Sequence, residues 1–266
     1  MRKKVYPVLS VILVLVGAGW VEALEPKDHP ENDVERIDTL HERGTEENYN
    51  LSGLALLKAS LDLCLGCMEE NPTDYEILWR CSRAAHQYAE TARNLLAEDW
   101  KTTCKDWGKK GMEIAEEAQD IDPDRVEGYF WQAACVGVYS DGTGVMTAVK
   151  EGFYKKSKSA ITRAYELDKS YNDYDPVFAR AMFYIALPFP MKSKKRALAY
   201  YREFEESTAW EVRPYIRRLY GADLLMEVKP KGYEEEAKAL LEHALKAPCL
   251  QTYYRDWADE LQKRVK

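Results

Sequence analysis

Three stretches of this chain end alike. They are Leu65-Gly-Cys-Met-Glu-Glu-Asn-Pro72, Ala115-Glu-Glu-Ala-Gln-Asp-Ile-Asp-Pro123 and Ile161-Thr-Arg-Ala-Tyr-Glu-Leu-Asp-Lys169. Two later stretches are similar in their helical part, Ala197-Leu-Ala-Tyr-Tyr-Arg-Glu-Phe and Ala237-Lys-Ala-Leu-Leu-Glu-His-Ala. Aligned on one position late in each unit, they place Cys67, Ala118, Ala164, Phe204 and Ala244 in register, 40 to 51 residues apart. A recurring helical hairpin constrains the fold strongly. One hairpin cannot bury its own apolar face, so successive hairpins must stack.

The second and third of these ends have the form of the tetratricopeptide (TPR) pattern: a small residue, an apolar residue three positions on, then a helix stop. The intervals exceed the 34 residues of a regular TPR, so the units carry inserted length. Elsewhere apolar residues recur at three- and four-residue spacing, and alternating β-branched runs are scarce. This predicts helices over 33–43, 51–70, 74–98, 101–121, 125–139, 154–168, 174–186, 193–206, 210–226, 232–246 and 251–265. Asn71-Pro72-Thr73-Asp74 reads as a stop followed by a start, with Asp74 as N-cap. Asp122-Pro123-Asp124 repeats the device, and Asp141-Gly142-Thr143-Gly144 reads as a loop. The expected architecture is all-α: a TPR-like α-solenoid of 10–11 helices forming a single domain over 34–266.

Residues 1–23 read as a secretory signal peptide. Arg2, Lys3 and Lys4 precede an apolar stretch from Val8 to Gly19, and Val21 and Ala23 fit a cleavage site after Ala23. The stretch is short for a membrane span, and no Cys follows it to accept a lipid. Residues 24–33 read as a flexible leader. No later segment reads as apolar enough to cross a bilayer. The expectation is a cleaved, periplasmic protein without a lipid anchor.

The 266 residues carry 38 Lys and Arg against 45 Asp and Glu, a net charge of −7, which gives no reason to expect nucleic-acid binding. The four His are far apart, and there is one CxxC, Cys64-Leu-Gly-Cys67, followed by Met68. That leaves no haem-attachment pattern and no zinc spacing. No nucleophile elbow, phosphate loop or metalloprotease pattern is present, so the reading is of a protein that is not an enzyme and has no cofactor. The cysteines have two readings. They are small core residues on helices, or, in a hairpin turning near Pro72, Cys64 faces Cys81 and the two form a disulfide.

Aromatics are abundant, with 18 Tyr and 7 Trp. Most would fill a solenoid core, but Tyr and Trp also line binding grooves. Counting along the first helix of each hairpin puts Glu76, Trp79, Arg83, His86 and Gln87 on the concave face, then Glu127, Phe130 and Ala134. Tyr129 and Trp131 adjoin this set. Arg80 and Arg83 sit among apolar neighbours, where an Arg pairs with a carboxylate for structure or with an acidic ligand group. The candidate groove is Trp79, Arg80, Arg83, His86, Tyr129, Phe130 and Trp131.

The segment Asn71-Pro-Thr-Asp-Tyr-Glu-Ile-Leu-Trp79-Arg80-Cys-Ser-Arg83, the downstream Gly128-Tyr-Phe-Trp131, and Tyr184-Ile-Ala-Leu-Pro188 followed by Lys194-Lys195-Arg-Ala197 resemble one known family. It is the TPR-type T component associated with tripartite ATP-independent periplasmic (TRAP) transporters. The resemblance spans roughly residues 35–250. It implies an all-helical periplasmic protein that docks a transporter's substrate-binding protein, and a hydrophobic cleft suited to apolar ligands. Members are often lipoproteins, from which this chain departs. The eukaryotic regulators of microtubule dynamics are distantly similar, a role the export signal argues against. Four functions are weighed: an adaptor docking a TRAP substrate-binding protein, a carrier of a small hydrophobic ligand, a hydrolase or redox enzyme using Cys64 and Cys67, or a general secreted TPR interaction protein, the adaptor being the leading one. The oligomeric state stays open, a homo-oligomer included.

Overall fold

A computed structural model describes residues 33–211, 214–247 and 250–265. The signal-peptide reading and nearly all of the leader lie outside the described residues, as do His29 and Cys249. Asp33 opens the first helix, where the helix over 33–43 was expected to begin.

Among the described residues there are twelve α-helices, one short 3-10 helix and no strand. They are α1 Asp33–Glu46, α2 Leu51–Glu70, α3 Tyr75–Asn94, α4 Trp100–Ile121, α5 Val126–Thr143, α6 Val145–Lys150, α7 Phe153–Leu167, α8 Tyr171–Ala186, α9 Lys194–Glu205, the 3-10 turn Thr208–Glu211, α10 Pro214–Val228, α11 Tyr233–Ala244 and α12 Thr252–Arg264. Each helix packs chiefly on its chain neighbours, α1 on α2, α3 on α4, α4 on α5, α8 on α9 and α10 on α11. This is the TPR-like solenoid of stacked hairpins.

The repeat register holds in space. Cys67, Ala118, Ala164, Phe204 and Ala244 fall on α2, α4, α7, α9 and α11 and are all buried. Three of them close their helices identically. The amides of Asn71, Asp122 and Asp168 donate to the carbonyls of Cys67, Ala118 and Ala164 at 2.9–3.0 Å. A small side chain here lets the next helix approach. The Asp74 cap also forms, its carboxylate accepting from the amides of Glu76 and Ile77.

Four details depart from the sequence reading. Asp141-Gly142-Thr143 is the last turn of α5 and not a loop; only Gly144, at φ +92°, breaks the chain, and the short α6 follows. The reason is packing. A Cβ on Gly142 would lie 2.5 Å from the Lys101 carbonyl oxygen, so this glycine admits the start of α4. The helix expected over 210–226 is a 3-10 turn and then α10, with Pro214 opening α10, the place where a missing amide costs least. α8 begins with three left-handed residues, Asn172, Asp173 and Tyr174, at φ 47°, 60° and 60°. Finally, α2 is long and apolar enough to cross a membrane by length and composition. Here it is core: Leu56, Leu57, Leu61 and Cys64 are almost fully buried against neighbouring helices.

The first, odd-numbered helix of each early pair, α1, α3 and α5, lies on the inside of the curve, and α8, α10 and α12 continue that wall. The curve closes on itself. The last helix, α12, packs against α3, so the C-terminal end of the solenoid meets its N-terminal third. Gln251 Nε2 donates to Asn48 Oδ1 at 2.9 Å, and Arg93 Nη2 donates to the Tyr254 hydroxyl at 3.1 Å.

Candidate functional site

The closed curve surrounds a cavity of about 750 Å³, within the size range of small-molecule sites. Its wall is mainly apolar. α5 supplies Phe130, Trp131 and Val138, α8 supplies Phe178, Met182 and Phe183, and α10 and α12 add Ile216, Tyr220 and Tyr254. Trp131 is anchored by its indole N–H, which donates to the Tyr171 hydroxyl at 3.0 Å, and Phe130 packs edge-on against Trp131.

Two buried arginines face this cavity from different helices, and each already has its counter-ion. Arg93, 5 % exposed, is paired with Asp141 of α5 and donates to Asn94 Oδ1. Its guanidinium lies over the Tyr253 ring at 4.9 Å. Arg217, also 5 % exposed, is paired with Asp175 and donates to the Asp173 carbonyl. That second bond pins the left-handed start of α8. The αL region is unfavourable for a residue such as Tyr174, so the turn persists because its surroundings over-determine it. It delivers Asn172 and Asp175 to the cavity wall, where Asn172 Nδ2 donates to Asp175. Since both buried charges are matched, the wall has no unpaired charge on these arginines, and what it offers a guest is apolar contact.

Polar capacity remains at two places among the described residues. His86 of α3 lines the cavity, its ring 5.5 Å from Trp131, and its buried Nδ1 has no hydrogen-bond partner among the described residues. Burial lowers its pKa below the usual 6.5, so the imidazole is neutral at neutral pH. The hydroxyl of Thr45, across the opening on α1, is likewise buried without a partner.

Of the seven groove candidates from the sequence, the structure brings His86, Phe130 and Trp131 to the cavity. Trp79, Arg80 and Arg83 share the inner stripe of α3 but sit one to two turns nearer its start. There they build a network with α1 and α5. Arg80 donates from Nε to both oxygens of Asp38 at 2.9–3.0 Å, and Arg83 Nη2 reaches the same carboxylate at 2.5 Å. Both guanidinium groups stack on the Trp79 ring, at 4.2 and 4.9 Å. Glu76 accepts from Trp79 Nε1 and Arg80 and is paired with Arg125. Burial alone would raise the pKa of Glu76; these three donors bring it from 4.5 down to about 2. The arginines are thus occupied by carboxylates of the chain itself. Tyr129 packs half-buried against the neighbouring core.

The structure joins Cys64 of α2 to Cys81 of α3 as a disulfide, Cα–Cα 5.4 Å, while Cys67, Cys104 and Cys135 are buried free thiols. Among the described residues no group of His, Cys, Asp and Glu is arranged to hold a metal ion.

Sequence reasoning missed Arg93, Asp141, Asp175 and Arg217. For Arg93 the signal was available. The stripe through Arg83 and His86 continues at Glu90 and Arg93 by the same three- and four-residue steps. For Asp175 and Arg217 no repeat register reaches across the left-handed turn.

A family model described as regulator of microtubule dynamics protein 1-3 matches residues 33–265. The chain belongs to that family. The match covers all twelve helices, so the family and the solenoid are coextensive. The crystal structure of a thermophilic TPR protein from Thermus thermophilus shares the fold, with a TM-score of 0.55 over 85% of this chain and 99% of that chain. At 18% identity the likeness speaks for the fold alone. No curated protein matches the chain. The helical-repeat reading therefore stands. The family matched is the one its residues resembled distantly, and the TRAP association is a proposal.

Proposed function

We propose that this chain is a non-enzymatic, exported helical-repeat protein that carries a small apolar ligand at the centre of its closed solenoid. The observation that supports this most is the cavity itself: about 750 Å³, walled by aromatic and aliphatic side chains, with its buried arginines already neutralised by Asp141 and Asp175. A guest there gains from desolvation of apolar surface and places at most one polar group near His86 Nδ1. The sequence alone favoured a groove for a protein partner. Closure of α12 on α3 favours the carrier instead, because the concave face is reduced to a volume that a folded protein cannot enter. Native mass spectrometry of the full exported chain, followed by organic extraction, tests this. The reading expects an added mass of lipid or hydrocarbon character that solvent removes. A bare chain in repeated native preparations contradicts it.

Docking of a TRAP substrate-binding protein is the second reading. Its support is the residue-level resemblance around Asn71–Arg83 and Gly128–Trp131 and the signal-like start. TPR-like solenoids are interaction scaffolds, and the outer helices leave a broad surface for such contact. The Cys64–Cys81 pairing supports an oxidising compartment, as this reading requires. Pull-down from a periplasmic extract with the full chain should recover a binding protein; recovery of none counts against it.

A further inference from the structure

Away from the cavity, on the outside of the solenoid, α7, α8 and α9 form a cleft of about 540 Å³. Three cations line it: Lys158 of α7, Arg180 of α8 and Arg196 of α9. None of the three has a carboxylate within ion-pair distance among the described residues, in contrast to the arginines of the cavity. The cleft's one carboxylate, Glu203, is occupied. It accepts from the Tyr165 hydroxyl at 2.8 Å and from Lys169 at 3.1 Å. Like charges lining one cleft repel one another, and an anion between them relieves that repulsion.

The rings hold the guanidinium groups ready. The Arg180 guanidinium lies 4.5 and 4.2 Å from the ring centres of Tyr165 and Tyr200, which stand edge to face, and its buried Nε has no hydrogen-bond partner among the described residues. Arg196 lies over Tyr184 at 5.3 Å, and Tyr184 is stacked on Tyr200 with planes 9° apart. Arg196 Nη1 also donates to the Tyr184 hydroxyl at 3.5 Å. A guanidinium carries N–H donors that grip carboxylate or phosphate oxygens in pairs. Such preorganisation lowers the entropy lost on binding.

We infer that this cleft binds a small multivalent oxyanion, a phosphate or a dicarboxylate, through Arg180, Arg196 and Lys158. The site is independent of the central cavity and of any apolar guest there. Calorimetric titration of the full chain at low ionic strength, once with inorganic phosphate and once with succinate, tests it. Saturable one-to-one binding of either anion is expected, and the tighter of the two names the chemistry. Arg196→Gln and Lys158→Gln, both at exposed positions, should each weaken it about tenfold, with unchanged melting temperatures. Arg180→Gln should weaken it further. If neither anion saturates the wild-type chain in the millimolar range, or the exposed variants bind as tightly as wild type, the inference is overturned.

Discussion

The inner face of α3 divides into two halves built from the same kinds of residue. Its first three turns carry Glu76, Trp79, Arg80 and Arg83, and its last turns carry His86, Glu90 and Arg93. Both halves are rich in arginine, carboxylate and aromatic contact, and in both the arginines of α3 are largely buried. In the first half, donors and acceptors are consumed by Asp38 from α1 and Arg125 from the start of α5, which tie three helices into one corner. In the second half, pairing is equally complete for Arg93, yet the residues beside it open onto a cavity. Charge content therefore does not distinguish a site from a strut. What distinguishes them is whether neighbouring helices converge or stand apart.

The sharpest way to break this contrast is at Arg93, which serves both the cavity wall and the closure of the ring. Arg93→Ala strips Asp141 of its partner, and losing one member of a buried ion pair costs about 4 kcal/mol. It also removes the bond to Tyr254, so limited proteolysis should cut near α12 far faster than in wild type. A variant that unfolds at the wild-type denaturant midpoint would mean the ring is not held there. The disulfide sharpens the structural half. Cys64 and Cys81 are 17 residues apart, and opening a loop of that size costs about 3 kcal/mol. The Cys64→Ala/Cys81→Ala double variant should show that loss in urea unfolding, with ligand content unchanged once folded.

A smaller effect separates the halves by pH. Glu76 titrates near 2 in the folded chain against its usual 4.5, so its carboxylate stabilises the fold fully above pH 4.5. That contribution is lost as pH falls from 4.5 through about 2, because the unfolded chain takes up the proton first. Thermal melts of wild type and Glu76→Gln should thus differ at neutral pH and converge on acidification. A constant difference at all pH values would assign the Glu76 effect to packing and not to charge.

Much of this architecture was legible before any coordinates. The small late position at Ala118 and Ala164 marks where helices touch, and the Asp74 and Asp122 devices mark where they turn. These are local signals with local causes. The cavity was legible only on its first wall. Counting from Pro72 and Pro123 set the register of α3 and α5 and so reached His86, Phe130 and Ala134. It could not reach α8, where three left-handed residues reset the phase, or α12, whose contact with α3 joins residues 161 positions apart. Gly142 shows the opposite error: a glycine read as a turn because turns favour it, when a close helix crossing demanded it. Trp79, Arg80 and Arg83 were read as groove residues, and only the position of Asp38 reveals that the chain itself supplies the acid the arginines hold.

The central claim, that the second half of the α3 face opens on a ligand cavity and the first does not, is tested most directly by titrating a fluorescent fatty acid into three chains: wild type and two variants. Ala134→Trp fills the cavity from α5, and Asp38→Ala removes the acid from the structural corner. Ala134→Trp should abolish binding while melting close to wild type, and Asp38→Ala should bind normally but melt several degrees lower. Binding that survives Ala134→Trp and vanishes with Asp38→Ala would contradict it.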